Sequence, residues 1–308
     1  AAHCVVRPHL KLYPDGLHTA EDLVADMDHC AVAEALVVDS LSRENHPGDG
    51  NRRVLAATAD RPRLHPAWAL LPPGTDEQPA PAELLKQMRR HRVGAAWLFT
   101  GQYRFSLADW CVDELLAPLA AAGAPVFVCP NEIGPAGEAP DQTDWPGVVA
   151  LCRRWPTLPV IVSEFRIRRS QRVLYRALDA CENLHVELSG YWLHHGVEYI
   201  TRRWGGGRLV FGSNWPRFGP PMTLATLACA DIDDAEPPAR RYGLPRLPRT
   251  PGPAGVPLSP ARLRPGRHRR RDGPPGRAAG LRVQPGGRLQ RRAVRQRPGG
   301  RGRAAASG

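Results

Sequence analysis

Short apolar runs recur along the first 236 residues, separated by longer segments that are apolar on one side only. The runs are Cys4–Val6, Ala35–Asp39, His65–Leu70, Ala95–Phe99, Val126–Cys129, Val160–Ser163, His185–Leu188 and Leu209–Gly212. Their starts are roughly 24 to 34 residues apart, the length of one strand, one helix and two loops. Most are continuous rather than alternating, as parallel strands covered on both faces require. Between them, Thr19-Ala-Glu-Asp22 has the form of a capping box, and Leu23, Met27 and Cys30 follow it at helical spacing. A second helix runs from Asp109 to Ala122 and stops at Gly123, a residue suited to the left-handed turn that ends helices. Trp145–Trp155, Gln171–Cys181 and Val197–Trp204 read as further helices, the last ended by Gly205-Gly206-Gly207. An open doubly wound sheet seldom keeps eight evenly spaced units, so the pattern predicts an α/β chain folded as a (β/α)8 TIM barrel over residues 1–236.

Such a barrel carries its chemistry at the C-terminal ends of the strands. The search therefore narrows to Val5–His9, Ser40–Asn45, Leu71–Gly74, Thr100–Phe105, Cys129–Glu132, Ser163–Arg166, Ser189–His195 and Ser213–Phe218.

Charge changes the picture only once it is divided. The net +12 comes from residues 237–308, where nineteen Arg face one acid, Asp272. The first 236 residues hold 23 basic and 29 acidic side chains, a net −6, so the barrel itself is mildly acidic. In the last 72 residues Arg, Pro, Gly and Ala fill 54 positions, and Phe, Trp, Ile and Met are absent. So little apolar surface cannot offset chain entropy, which predicts a disordered basic tail. One reading makes this an arm that associates with nucleic acid nonspecifically through its arginines. The other makes it an out-of-frame translation, since all-G/C codons spell these four residues. The break falls inside a helix just begun at Ile232-Asp-Asp-Ala-Glu236, which favours the second.

The seven cysteines (Cys4, Cys30, Cys111, Cys129, Cys152, Cys181, Cys229) are widely spread and form no CxxC pair. That pattern predicts reduced thiols and a cytoplasmic protein. No apolar run approaches the ~18 residues of a membrane span, and no signal peptide is visible.

The segment Leu209-Val-Phe-Gly-Ser-Asn-Trp-Pro216 resembles the strand-eight signature FGSDxP of the amidohydrolase-related (amidohydrolase 2) proteins. Ala2-His3, Leu23–Asp28, Gly50-Asn51-Arg52, Leu158–Ile161 and Asn183–Gly190 agree with that family in order and spacing. The resemblance covers about residues 1–236. It implies a small-molecule hydrolase or decarboxylase with a divalent metal, Zn²⁺ or similar, in the barrel mouth. The family's ligands are a His-x-His on strand one and a His at the ends of strands five and six, and an Asp after strand eight takes the proton of the metal-bound water.

This sequence departs from that set. His3 remains, but Val5 stands two residues on, Cys129 replaces the strand-five His, Glu164 the strand-six His and Asn214 the Asp. An amide has no basic site at neutral pH, so Asn214 cannot serve as a proton acceptor. Two readings stand. Either His3, Cys129 and Glu164 form a remodelled metal site with Glu164 and Asn214 in the catalytic positions, or the cage has been dismantled and these side chains bond one another. Cys129 taken alone is more often a small buried hydrophobe.

Around the mouth, His9 and Lys11 after strand one and Tyr191, Trp192, His194 and His195 after strand seven are placed to grip a substrate, with Tyr191 and Trp192 as an apolar wall. Arg166 and Glu132 can pair or bind a charged ligand, although most such loop charges are solvated. Trp110, Trp145, Trp155 and Trp204 read as packing residues, and Gly101-Gln-Tyr103 and Gly205–Gly207 as turns. Three functions follow: an enzyme of the resembled family, a non-catalytic barrel that binds a small molecule or protein, or nucleic-acid association through the tail. The first is the working expectation. Homo-oligomerisation is left open.

Overall fold

The computed structural model describes residues 2–3, 18–130, 133–134, 137–138, 143–164 and 167–232. The expectations for His9, Lys11, Glu132, Arg166, the boundary at Glu236 and the tail 237–308 fall outside the described residues, as does the His3 side chain.

Eight parallel strands form one sheet in chain order: β1 (Ala2–His3), β2 (Ala35–Val38), β3 (Leu64–Ala69), β4 (Ala95–Leu98), β5 (Val126–Val128), β6 (Val160–Val162), β7 (Leu184–Glu187) and β8 (Leu209–Val210). The helices are α1 (Ala20–His29), α2 (Ser40–Glu44), α3 (Pro47–Thr58), α4 (Pro81–Arg90), α5 (Thr100–Tyr103), α6 (Asp109–Ala121), α7 (Trp145–Arg154), α8 (Gln171–Ala180), α9 (Gly196–Trp204) and α10 (Pro220–Ala228). Strand, helix, strand in regular alternation with each strand beside its predecessor is the TIM-barrel arrangement.

Local chemistry sets the ends of these elements. The Thr19 hydroxyl accepts from Asp22 N–H while the Asp22 carboxylate accepts from Thr19 N–H, so the expected capping box starts α1. Gly123 follows α6 with φ +61, a left-handed conformation that costs glycine little. The Gly101–Tyr103 stretch, expected to be a turn, is instead the single helical turn α5, closed by Arg104 at φ +51. Trp110 corrects another expectation. At the start of α6 it is 82% exposed, because the residues of that helix turned to the core are Val112, Leu115, Leu116 and Leu119.

Gly50, Asn51 and Asn183, in segments that carry the resemblance, have structural reasons. A Cβ on Gly50 would stand 2.2 Å from Ser42 N, so only glycine lets α3 approach α2 this closely. The next residue, Asn51, is buried and bridges α2 to the end of β3. Its Oδ1 accepts from Ser42 Oγ (3.0 Å) and Ala69 N (3.0 Å), and its Nδ2 donates to Ala69 O (2.9 Å). Asn183 ends α7 by donating to the carbonyls of Cys152, Trp155 and Leu158.

Strand residues alternate between two cores. Trp68, Ala96, Leu98, Val126, Val128, Val160, Val162, Leu184, Val186 and Leu209 pack with helix residues such as Leu23, Met27, Leu116 and Leu174 in the outer layer. Val38, Ala67, Ala69, Ala95, Trp97, Phe99, Phe127, Cys129, Ile161 and Val210 form a separate cluster, the barrel interior. The cluster combines large rings (Trp97, Phe99 and Phe127) with small alanines (Ala67, Ala69 and Ala95). Trp97 stacks on Phe127 at 4.4 Å and on Phe99 at 5.3 Å between centroids.

Candidate active site

Strand register determines what reaches the mouth. Leu98 pairs with Val128, Val128 with Val162 and Val162 with Val186, all of them outward-facing. One residue further along each strand the side chains turn inward, so Phe99, Cys129, Ser163 and Glu187 form one continuous row at the C-terminal end of the interior. Val210 of the interior cluster pairs with Glu187 and carries the row onto β8.

Glu187 is the charged member of that row and is only 4% exposed. Its Oε2 accepts from Ser163 Oγ (2.9 Å) and Ser189 Oγ (2.6 Å), and its Oε1 from Ser189 N (2.9 Å). Its carboxyl group lies against Gly212, where a Cβ would fall 1.5 Å from Oε1. The glycine of the strand-eight segment therefore makes room for the carboxylate of β7.

Arg43, in α2, brings a positive charge to the same end. It is buried at 4% exposure, with its guanidinium carbon 5.7 Å from the centre of the Phe99 ring. The helix that carries it is braced on several sides. Asp39 caps it through Leu41 N (2.9 Å) and faces Arg53 (3.5 Å). Burial pushes the Asp39 carboxyl above its ordinary range against the pull of these two partners. Tyr103 Oη donates to Ser42 O (2.6 Å) and Gln102 Nε2 to Glu44 O (3.0 Å), fixing α2 to α5.

Among the described residues, those nominated from the sequence take different surroundings. Cys129 lies in the interior row, 5% exposed. Glu164 is buried with its carboxylate committed to Thr143, from both Oγ1 (2.5 Å) and N (3.3 Å), and to Ser170 Oγ (3.1 Å). Asn214 occupies the left-handed region at φ +46, where Asn is tolerated better than most residues, and its carbonyl closes a turn with Arg217 N. Tyr191 lies in the outer core at 1% exposure, its hydroxyl 2.8 Å from that of Tyr175. Burial, followed by the Tyr175 contact, holds its phenol well above the ordinary range. Trp192 meets Phe218 edge-on at 4.9 Å, joining the loops after β7 and β8. His194 is exposed and its ring lies 3.9 Å from that of His195, which bonds Glu198 (3.1 Å).

Among the described residues no three His, Cys, Asp or Glu side chains converge as a metal ion requires. The described donors alone therefore do not make up the ligand set that the resemblance implies, and the His3 side chain lies outside the described residues.

Sequence reasoning passed over Arg43, Ser163 and Glu187. The signal that could have found Glu187 is a carboxylate within an otherwise apolar run of a strand covered on both faces, where a charge is costly unless it has partners.

The amidohydrolase family profile matches residues 23–241, and the chain belongs to that family. No protein of curated function matches it by sequence. Among solved structures it is similar to 2,6-dihydroxybenzoate decarboxylase from Rhizobium, at TM-score 0.58 and 14% identity over 79% of this chain and 94% of that one. It is also similar to 5-carboxyvanillate decarboxylase from Sphingomonas paucimobilis (TM-score 0.56, 12% identity, 74% and 81% covered). A third is dihydroxybenzoic acid decarboxylase from Polaromonas, solved with manganese and 2-nitroresorcinol (TM-score 0.54, 14% identity, 76% and 90% covered). At these identities the likeness is one of fold. No helix among the described residues is long and apolar enough to cross a membrane.

Proposed function

We propose that this barrel is an amidohydrolase-family enzyme that decarboxylates or hydrolyses a small aromatic acid. The observation that carries the reading is the buried Arg43 guanidinium over Phe99, at the C-terminal end of an interior that also holds Trp97 and Phe127. A planar ring can rest on the aromatic end of the row while its carboxylate meets Arg43, since guanidinium and carboxylate match in both charge and planar shape. The Trp192–Phe218 pair supplies an apolar side wall in this reading, and His9, His194 and Arg166 stay as candidate anchors at the rim. His3, Cys129 and Glu164 stay as the candidate ligands of a remodelled metal site. Manganese accompanies the Polaromonas neighbour. A cytoplasmic setting belongs to the same proposal.

A binding barrel without turnover is the second reading, favoured by the failure of the described donors to gather. One experiment separates the two. The protein is incubated with 2,6-dihydroxybenzoate, with and without added Mn²⁺, while thermal stabilisation and CO₂ release are followed. Saturable stabilisation, weakened roughly 10- to 100-fold in Arg43→Ala, together with product formation is expected. Stabilisation without product would select the binding reading. No stabilisation by this or any other benzoate would overturn both.

A further inference from the structure

We infer that Ser163 and Glu187 form a proton relay in the barrel mouth, with Glu187 as the terminal acceptor. The inference rests on the proposed aromatic-acid substrate and adds how the barrel handles a proton.

Three observations support it. Ser163 and Glu187 are neighbours in the inward row, and Ser163 Oγ donates to Glu187 Oε2 at 2.9 Å. Glu187 is buried beside apolar interior residues, whereas Ser163 is the partly exposed member of the pair, so a ligand in the mouth meets the hydroxyl first. The Glu187 carboxyl group also rests on Gly212, two residues before Asn214. Asn214 cannot take a proton, and the neighbouring strand supplies a carboxylate at the same end of β8.

The transfer balances without a further reactant. A phenol or water in the mouth hands its proton to a lone pair of Ser163 Oγ as the proton already on Oγ moves to Glu187 Oε2. The products are a phenolate or hydroxide, an unchanged serine and a neutral carboxylic acid, and the reverse transfer returns the proton. Ser189 holds the carboxylate through its N–H and its hydroxyl, which aims Oε2 at Ser163. Ser189 is thus a positioning residue.

Those two bonds also allow a purely structural role, with Glu187 capping the short 3-10 turn Leu188–Gly190. The test must move something a cap would not. The probe is 2-nitroresorcinol, whose visible absorbance reports ionisation of its phenol. It is bound to the full chain at a pH where the free compound is protonated, and proton release to the buffer is measured alongside. In the wild type the bound probe is expected to show the phenolate band with no net proton release, because Glu187 keeps the proton. In Glu187→Gln the band is expected to be lost, or to come with release of about one proton per chain. Ser163→Ala, which leaves both Ser189 contacts in place, is expected to behave the same way and covers the case in which the Glu187 variant fails to fold. Variants that bind the probe with the wild-type band and proton balance would overturn the relay and leave the substrate reading intact. A wild type that does not bind the probe would overturn the phenolic substrate class and the relay with it.

Discussion

The indole N–H of Trp215, just after β8, donates to the carboxylate of Asp26 in α1 at 2.6 Å, across 189 residues of chain. Trp215 is 2% exposed, and the ring of His18 meets it edge-on at 5.3 Å. The loop that leaves the last strand is thereby fastened to the first helix. Trp215→Phe keeps most of the apolar burial and removes the donor. We expect a loss of about 1–3 kcal/mol, the range for a hydrogen bond to a charged group, measured by urea unfolding. An unchanged midpoint would mean that the contact contributes nothing to closure.

Asn51 ties α2 to the end of β3 through three hydrogen bonds, and α2 carries Arg43. Asn51→Ala strands a buried backbone N–H and weakens the brace under Arg43. The expected outcome is destabilisation by about 2–4 kcal/mol together with poorer binding of 2,6-dihydroxybenzoate. Equal stability, or full affinity in the variant that remains folded, would count against this linkage.

Glu164 already accepts bonds from Thr143 and Ser170. Its removal is therefore expected to lower stability by about 1–3 kcal/mol and, as a ligand of the proposed remodelled site, to lower the metal content per chain. Elemental analysis of wild type and Glu164→Ala, after exchange into metal-free buffer and again after adding Zn²⁺ or Mn²⁺, checks this. A stoichiometric ion in the wild type that survives Glu164→Ala would remove Glu164 from that ligand set.

Tyr191 gives a pH dependence with a definite sign. Its folded-state phenol lies above the ordinary value of about 10, so beyond that pH the unfolded chain gives up a proton that the folded chain keeps. Stability is full below the ordinary value and falls as pH rises past it. Denaturation midpoints measured between about pH 9 and 11 should decline in the wild type and decline less in Tyr191→Phe. Matching slopes would locate the alkaline sensitivity elsewhere.

The fold could be read because its determinants are local. Thr19 with Asp22 and the break at Gly123 need only neighbours in the chain, and apolar runs at even spacing need only counting. The site depends on register. Ser163 and Glu164 are adjacent in sequence, yet one joins the inward row and the other takes its partners from Thr143 and Ser170. Aligning Glu164 with a family histidine says nothing about that parity. Tyr191 sat in a loop where an aromatic wall was expected. What no local pattern revealed is the Tyr175 hydroxyl on α8 that pairs with it inside the outer core. Arg43 went unremarked as one arginine among many, because its burial over Phe99 is a tertiary fact.

The order of the sheet also has a consequence for how the chain is made. Each strand lies beside the one synthesised just before it, so the sheet can grow at its newest edge while the chain is still leaving the ribosome. The clasp between Asp26 and Trp215 is different, since its halves emerge 189 residues apart, roughly ten to forty seconds at ordinary rates of elongation. Throughout that interval the latest strand is an open edge. That is when pairing with another nascent copy competes with addition of the next strand.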